Sequence, residues 1–232
     1  MGRRLAWCRA AEDIGEEGLG DGLRHGFVHV SPFRCRDSWD IGRVMSLRWV
    51  LIALRVLWPL SEIALSFARR ARQGTNVRDA SSLRGIWLSI AVGIPLAVWS
   101  AGWGRTAFGI SERVQIAIAV SLLLAGIVIR WSAILTLGRF FTVNVAIQSD
   151  HHVVREGPFR FVRHPSYLGA LLCMAGVGVS FGNWISFFIA MVPYTTAILR
   201  RIRIEERALT EALGSAYLDY AKTTWRLIPG VY

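Results

Sequence analysis

Three predominantly apolar runs, residues 47–68, 85–103 and 114–137, are 22, 19 and 24 residues long. About 20 apolar residues in a helix cross the hydrocarbon core of a bilayer, about 30 Å thick. Backbone in lipid must satisfy its polar groups internally, so each run predicts a transmembrane helix. A fourth stretch, residues 168–199, has 32 residues, too many for one crossing, and Gly182-Asn183 interrupts it. It reads as a hairpin of two short helices, with Gly176 and Gly178 permitting close backbone approach. The expected class is an all-α integral membrane fold of about five transmembrane helices, the last two forming a hairpin.

The composition bears on the same point. The chain is 53% hydrophobic and only 19% charged, with mean hydropathy +0.39, yet its net charge is +11. A soluble nucleic-acid binder of that charge is excluded by the hydropathy, and the basic residues instead orient the spans, because Lys and Arg stay on the cytoplasmic side. Arg69, Arg70, Arg72, Arg78 and Arg84 follow the first span. Arg139, Arg155, Arg160 and Arg163 follow the third, and Arg200, Arg201, Arg203, Arg207, Lys222 and Arg226 follow the hairpin. Only Arg105 and Arg113 lie between the second and third spans. Five spans with the N-terminus outside and the C-terminus cytoplasmic satisfy this bias.

Residues 1–46 differ from the rest: seven arginines offset seven acids, the text is Gly-rich, and no apolar period of 3.6 residues appears. This segment is expected to be a disordered tail. Met45 directly precedes the first apolar run, so an over-extended start is one account of it. Residues 47–138 then hold three spans, and residues 139–232 form the region that carries chemistry. Within the first span Arg48, Arg55 and Glu62 recur every seven residues along one stripe, which predicts packing against Arg130 of the third span. Trp49, Trp103 and Trp184 near span ends read as interface anchors. Cys8, Cys35 and Cys173 have no metal-ligand spacing and imply no disulfide scaffold.

Two polar islands stand out. The first, QSDHHVVREGPFRFVRHPSYLG, lies between the third span and the hairpin. Gly157-Pro158 breaks helix and Pro165 biases His164 away from it, so Arg163, His164 and Tyr167 sit on a rigid loop leading into a helix. The second, RRIRIEERALTEALGSAYLDYAKTTWRLIPGVY, begins where the hairpin ends. Arg201 and Glu205 are four apart and share a helical face, while Glu206 points about 100° away. Standing alone, the second island reads as a juxtamembrane basic helix with ordinary salt bridges.

Taken together, GPFRFVRHPSYLG, a hydrophobic hairpin, RIRIEERALTEALGSAYLDY and WRLIP resemble the isoprenylcysteine carboxyl methyltransferase family and its phospholipid methyltransferase relatives. The resemblance covers residues 139–232, and its specificity lies in RHPxYxG followed at this separation by a Glu-Glu pair. It implies an integral membrane enzyme using S-adenosylmethionine, with a cytoplasmic cofactor-binding loop and C-terminal helices. It further implies that His151, Val153, Val154, Phe159, His164, Pro165 and Tyr167 line the cofactor pocket, with Gln148 beside them. Glu205 would contact the cofactor and Arg201 the substrate carboxylate, which makes these two the candidate catalytic residues. Phe159 stands where tyrosine is frequent in the family, and His152 directly follows His151, leaving open which imidazole faces the ligand; counting back from Gly157 favours His151.

The residue types suit that ligand. Its sulfonium, ammonium, carboxylate, ribose and adenine call for a carboxylate, donors and a flat apolar wall, which Glu205, the Arg163-His164 region and Phe159 or Tyr167 offer. A carboxylate acceptor needs no base because it is ionised at pH 7. An amine acceptor needs one, for which Glu205, Glu206 or a histidine would serve. The expected activity is carboxyl O-methylation of a lipophilic acceptor, whether a small molecule, a lipid or a prenylated chain. The alternatives are a phospholipid or amine N-methyltransferase, and a non-enzymatic membrane accessory protein of a metal-resistance operon that retains the fold. Asp150, His151 and His152 lack the further ligands a metal site needs. The absence of an internal repeat disfavours a transporter.

Overall fold

A computed structural model describes residues 35–68, 76–79, 81–102, 106–141, 145–147 and 153–231. Gln148, Asp150, His151, His152 and Trp103 lie outside these described residues. The elements run α1 (Cys35–Ala68), β1 (Asn76–Asp79), α2 (Ser81–Ser100), α3 (Glu112–Leu137), β2 (Val145–Ile147), α4 (Pro165–Ser180), α5 (Trp184–Leu213) and α6 (Ser215–Thr223). Short 3₁₀ turns occupy Gly138–Phe140 and Gly157–Arg160.

Among the described residues four helices have the length and apolar character to cross a membrane: Met45–Ser66 within α1, Ser82–Ser100 within α2, and the whole of α3 and α5. Side chains such as Leu88, Val128 and Leu135 are largely exposed on them, as lipid-facing positions require. α4 is shorter, 16 residues or about 24 Å. It is nonetheless the first arm of the expected hairpin. Gly182 at φ +72° makes the turn, and the Asn183 side chain caps α5 by accepting from the Ser186 amide at 3.1 Å. The interruption at Gly182-Asn183 is therefore a helix end followed by a new helix start.

Two results depart from the expected layout. α1 begins at Cys35, inside the segment expected to be a tail; no proline precedes the span there, and extending an existing helix costs less than nucleating one. The fold also includes a small antiparallel ribbon, β1 with β2, pairing Asn76 with Ile147 and Val77 with Ala146. Strands of three or four residues are too short to display an alternating pattern, so the sequence carries no sign of them.

The ribbon joins the α1–α2 connection to the α3–α4 connection at one end of the bundle. At the other end the α2–α3 connection meets the hairpin turn, through an Ala107–Asn183 bridge and a hydrogen bond from the Phe108 amide to the Gly182 carbonyl at 3.0 Å. α4 thus follows the connection that carries β2 and ends at the hairpin turn.

α4 packs on α3, and α2 on α5. The α3–α4 contact is backbone on backbone: a Cβ on Gly126 would lie 2.6 Å from the Gly169 carbonyl oxygen, and one on Gly169 would lie 2.6 Å from the Gly126 oxygen. Gly176 likewise abuts Ala119 and Leu123 of α3, while Gly178 abuts Phe187 across the hairpin.

The charged stripe of α1 is fully engaged. Glu62 pairs with Arg130 of α3 and also accepts from Trp58 Nε1 at 3.2 Å. Arg130 in turn donates to the Ser166 carbonyl at 3.0 Å and hydroxyl at 2.9 Å in the first turn of α4. Arg48 pairs with Glu112, and Arg55 lies over the Phe181 ring at 5.1 Å. Intramembrane charge is costly unless paired, and this arrangement ties α1 to α3 and α4.

Candidate active site

The RHPSY segment is positioned by backbone constraints at both ends. Gly157 has φ +52°, and a Cβ there would meet the Thr136 hydroxyl at 2.9 Å, so only glycine fits against α3. Pro165 opens α4, where its missing N–H costs no hydrogen bond. Between them Val162 pairs with Trp225: the Arg163 amide donates to the Trp225 carbonyl at 2.8 Å, and the Trp225 amide to the Phe161 carbonyl at 3.0 Å. The C-terminal segment thereby closes over the loop.

Tyr167, in the first turn of α4, faces α5. Its hydroxyl accepts from Arg201 Nε at 2.9 Å and donates to Glu205 Oε2 at 2.6 Å, which joins the two shared-face residues of α5 through one phenol. Arg201 is buried and also donates to the Ser82 hydroxyl of α2 at 3.0 Å. A buried arginine that bonds two hydroxyls is not the exposed residue that an ordinary juxtamembrane helix would supply.

Tyr167 and Arg201 also form part of the wall of a cavity of about 80 Å³ inside the bundle. Its other walls are largely apolar, including Leu83, Ile86, Trp87 and Ile90 of α2 and Ile198 of α5, with Glu62 and Arg130 on the α1–α3 side. The Tyr167–Arg201 layer consequently has a mostly apolar compartment on one face and the Glu205 carboxylate on the other.

Beyond Glu205 lies a denser ionic cluster centred on Glu206. Arg226 donates to it with Nε at 3.1 Å and pairs through Nη2 at 2.6 Å. Arg163 Nε lies 3.3 Å away and His164 Nε2 3.4 Å away. The sequence placed Glu206 about 100° around the helix from the face of Arg201 and Glu205; in the fold its carboxylate joins the RHPSY loop, α5 and the C-terminal segment. His164 is buried, its ring 5.7 Å from that of Tyr167.

Phe159 is buried, and its carbonyl accepts from the Tyr220 hydroxyl of α6 at 2.7 Å. Val153 and Val154 are half-buried just before the 3₁₀ turn. The structure thus brings Tyr167, Arg201 and Glu205 into one hydrogen-bonded unit, with His164 beside it. Tyr217 and Tyr220 of α6 were not singled out by the sequence, although their three-residue spacing puts them on one helical face. Burial pushes both phenols up, Tyr220 to about 12, so both are neutral donors at physiological pH. The Tyr217 hydroxyl and Arg163 Nε are buried with no hydrogen-bond partner among the described residues.

Comparison with known proteins supports one family. Residues 118–211 match the isoprenylcysteine carboxyl methyltransferase (ICMT) family. Protein-S-isoprenylcysteine O-methyltransferase A of Arabidopsis thaliana is 34% identical over 112 residues, 47% of this chain and 57% of the relative. The Schizosaccharomyces pombe protein-S-isoprenylcysteine O-methyltransferase is 32% identical over 113 residues, covering 48% of each chain. The chain spans about half the length of these curated relatives. A solved structure of the eukaryotic intramembrane Ras methyltransferase ICMT aligns with 67% of this chain and 55% of its own, at 24% identity and TM-score 0.46. Among the described residues four long apolar helices mark an integral membrane chain, and residues 118–211 match the isoprenylcysteine carboxyl methyltransferase family.

Proposed function

We propose that this chain is a membrane methyltransferase that uses S-adenosylmethionine to methylate the carboxylate of a lipophilic acceptor of the isoprenylcysteine type. The observation that carries this reading is the Tyr167–Arg201 layer, which has a mostly apolar intramembrane cavity on one face and Glu205 on the other. An amphipathic acceptor with a buried tail and an anionic head fits the first compartment. A cationic, hydrogen-bonding cofactor fits the second.

The polar compartment suits that cofactor, since it offers a carboxylate, a buried imidazole and two buried donors that lack partners among the described residues. Glu205, His164 and Tyr167 would hold it from α4 and α5, and Val153, Val154, Phe159 and Pro165 would supply apolar surface. Gln148 and His151 complete the proposed set. The cofactor supplies a methyl group on a sulfonium, already activated for displacement.

Arg201 holds the acceptor carboxylate with a guanidinium that Tyr167 and Ser82 have already oriented, so little freedom is lost on binding. With Arg201 holding the carboxylate and Glu205 the cofactor, the chain's residues would orient the acceptor oxygen toward the methyl group that the cofactor supplies, and the product would be a methyl ester. No proton moves, and no residue need act as base. Positioning and exclusion of water account for the rate, which agrees with a site closed by the C-terminal segment over the RHPSY loop.

The test is a labelled-methyl assay on native membranes, followed by separation of lipid, protein and small molecules and by base treatment. Label released by base as methanol is the expected result. Base-stable label in an amine-bearing lipid would replace this reading with phospholipid-type N-methylation. Absence of both transfer and cofactor binding would favour a non-enzymatic accessory protein.

A further inference from the structure

Tyr217 is only 5% exposed, yet its hydroxyl has no hydrogen-bond partner among the described residues. Buried hydroxyls in native proteins nearly always find a partner, and the exceptions call for an explanation. Its neighbour on the same face of α6, Tyr220, shows that the helix can satisfy a phenol: that hydroxyl reaches the Phe159 carbonyl at 2.7 Å. The two rings are 6.1 Å apart, so they share one environment and differ in what their hydroxyls meet.

Arg163 presents a second case. Its Nη1 donates to the Ala221 carbonyl, and its Nε lies 3.3 Å from Glu206 Oε1, but that N–H finds no acceptor at a hydrogen-bonding angle. Tyr217 feels the charges of Glu206, Glu205 and Arg163, so both orphan donors belong to the polar compartment. Two unmet donors, one of them cationic, call for an anionic acceptor atom rather than a neutral one. The nearby Glu205 carboxylate calls for a cation. A zwitterionic amino-acid group has both.

We propose that Tyr217 is a cofactor-binding residue, its hydroxyl acting with Arg163 to bind the carboxylate at the amino-acid end of the cofactor while Glu205 faces the ammonium. The inference rests on the methyltransferase reading above and adds to it a residue from α6, beyond residues 118–211, to which the resemblance assigned no role. It also gives the C-terminal segment a direct part in ligand binding, beyond closing the loop.

The experiment is a calorimetric titration of detergent-purified parent and Tyr217→Phe proteins with S-adenosylhomocysteine and with 5′-methylthioadenosine, which lacks the amino-acid end. Tyr217→Phe is expected to weaken S-adenosylhomocysteine about ten- to a hundredfold, the range for a hydrogen bond to a charged group. It should leave methylthioadenosine unchanged. The ligand-free variant should melt at the parent temperature or higher, because an unmet buried hydroxyl has been removed. Unchanged S-adenosylhomocysteine affinity, or equal weakening of both ligands, overturns the assignment. So does a lower melting temperature without ligand, which would reveal a partner for the hydroxyl within the protein. A parent that binds neither ligand defeats the methyltransferase reading itself, whereas a parent that binds both while the variant matches it defeats only the role of Tyr217.

Discussion

The Tyr167 hydroxyl accepts from Arg201 and donates to Glu205, so the contributions of these two residues should separate by substitution. Glu205→Ala is expected to weaken cofactor binding, measured by titration, and Arg201→Ala to lower turnover with cofactor affinity nearly kept. Each loss should be about 2 to 4 kcal/mol, or about 30- to 1000-fold, as for removal of one charged partner in a dry site. Parent-like binding and turnover in both variants would reduce the pair to a structural contact. Glu206→Ala should act differently, by leaving Arg163 and Arg226 without their shared carboxylate and loosening the C-terminal segment. A fall in melting temperature, from a loss of about 2 kcal/mol, is the expected readout. The sequence made Arg201 and Glu205 legible because their spacing puts both on one face of a helix. It could not reveal the importance of Glu206, whose partners Arg163 and Arg226 come from segments far apart in the chain. Tyr220 offers a pH test. Its folded value is about 12 against an ordinary 10, so an unfolded chain loses the proton first. Stability is therefore retained below pH 10 and falls as pH rises from 10 to 12. Tyr220→Phe should shallow that alkaline decline in thermal melts, although Tyr217, also shifted upward, keeps part of it.

Helix positions were readable from length and hydropathy, and the hairpin from one Gly-Asn pair, because lipid leaves a 20-residue apolar run few choices. What went unread depends on contacts between elements. The sequence drew attention to Gly176 and Gly178, yet Gly126 and Gly169 make the closest approach, each on a different helix, and no single-helix pattern reports that coincidence. Their roles predict a contrast in sign. Gly169→Ala would put a methyl 2.6 Å from the Gly126 carbonyl, so α3 and α4 must move apart. A cost of about 1 to 3 kcal/mol is expected, seen as a lower melting temperature in detergent. Because α4 carries Tyr167 in its first turn, the same variant should also lose turnover. Gly85→Ala meets nothing within 4 Å and lies within α2, so it should be neutral or stabilise by up to about 1 kcal/mol. Equal behaviour of the two variants would mean that the α3–α4 contact is not close-packed.

At the scale of the whole molecule, the ribbon and the hairpin turn sort the connections into two groups. The α1–α2 and α3–α4 connections share one end through β1 and β2, and the α2–α3 connection shares the other with residues 181–183. Among the described residues the basic ones follow the same division: Arg84 lies in the first turn of α2 and Arg155, Arg160 and Arg163 precede α4, on the ribbon's side, while Arg113 opens α3 on the side of the hairpin turn. Positive charge stays cytoplasmic, so we propose that the ribbon, the RHPSY loop and α6 face the cytosol, where the cofactor is made. On that arrangement the mostly apolar cavity would lie on the membrane side of the Tyr167–Arg201 layer, and the two substrates of the proposed reaction would approach that layer from different phases. Cysteine scanning tests this arrangement once Cys8, Cys35 and Cys173 have been replaced by serine. Ile110 is 45% exposed beside the hairpin turn, and the Lys222 side chain of α6 is 75% exposed. Ile110→Cys should react with an impermeant maleimide in intact cells, and Lys222→Cys only after the membrane is opened. The reverse pattern would invert the protein and put the cofactor site on the wrong side of the membrane. Labelling of both from outside would mean that the hairpin does not return the chain across the bilayer, and α4 would have to be reassigned as a helix that enters and leaves from one face.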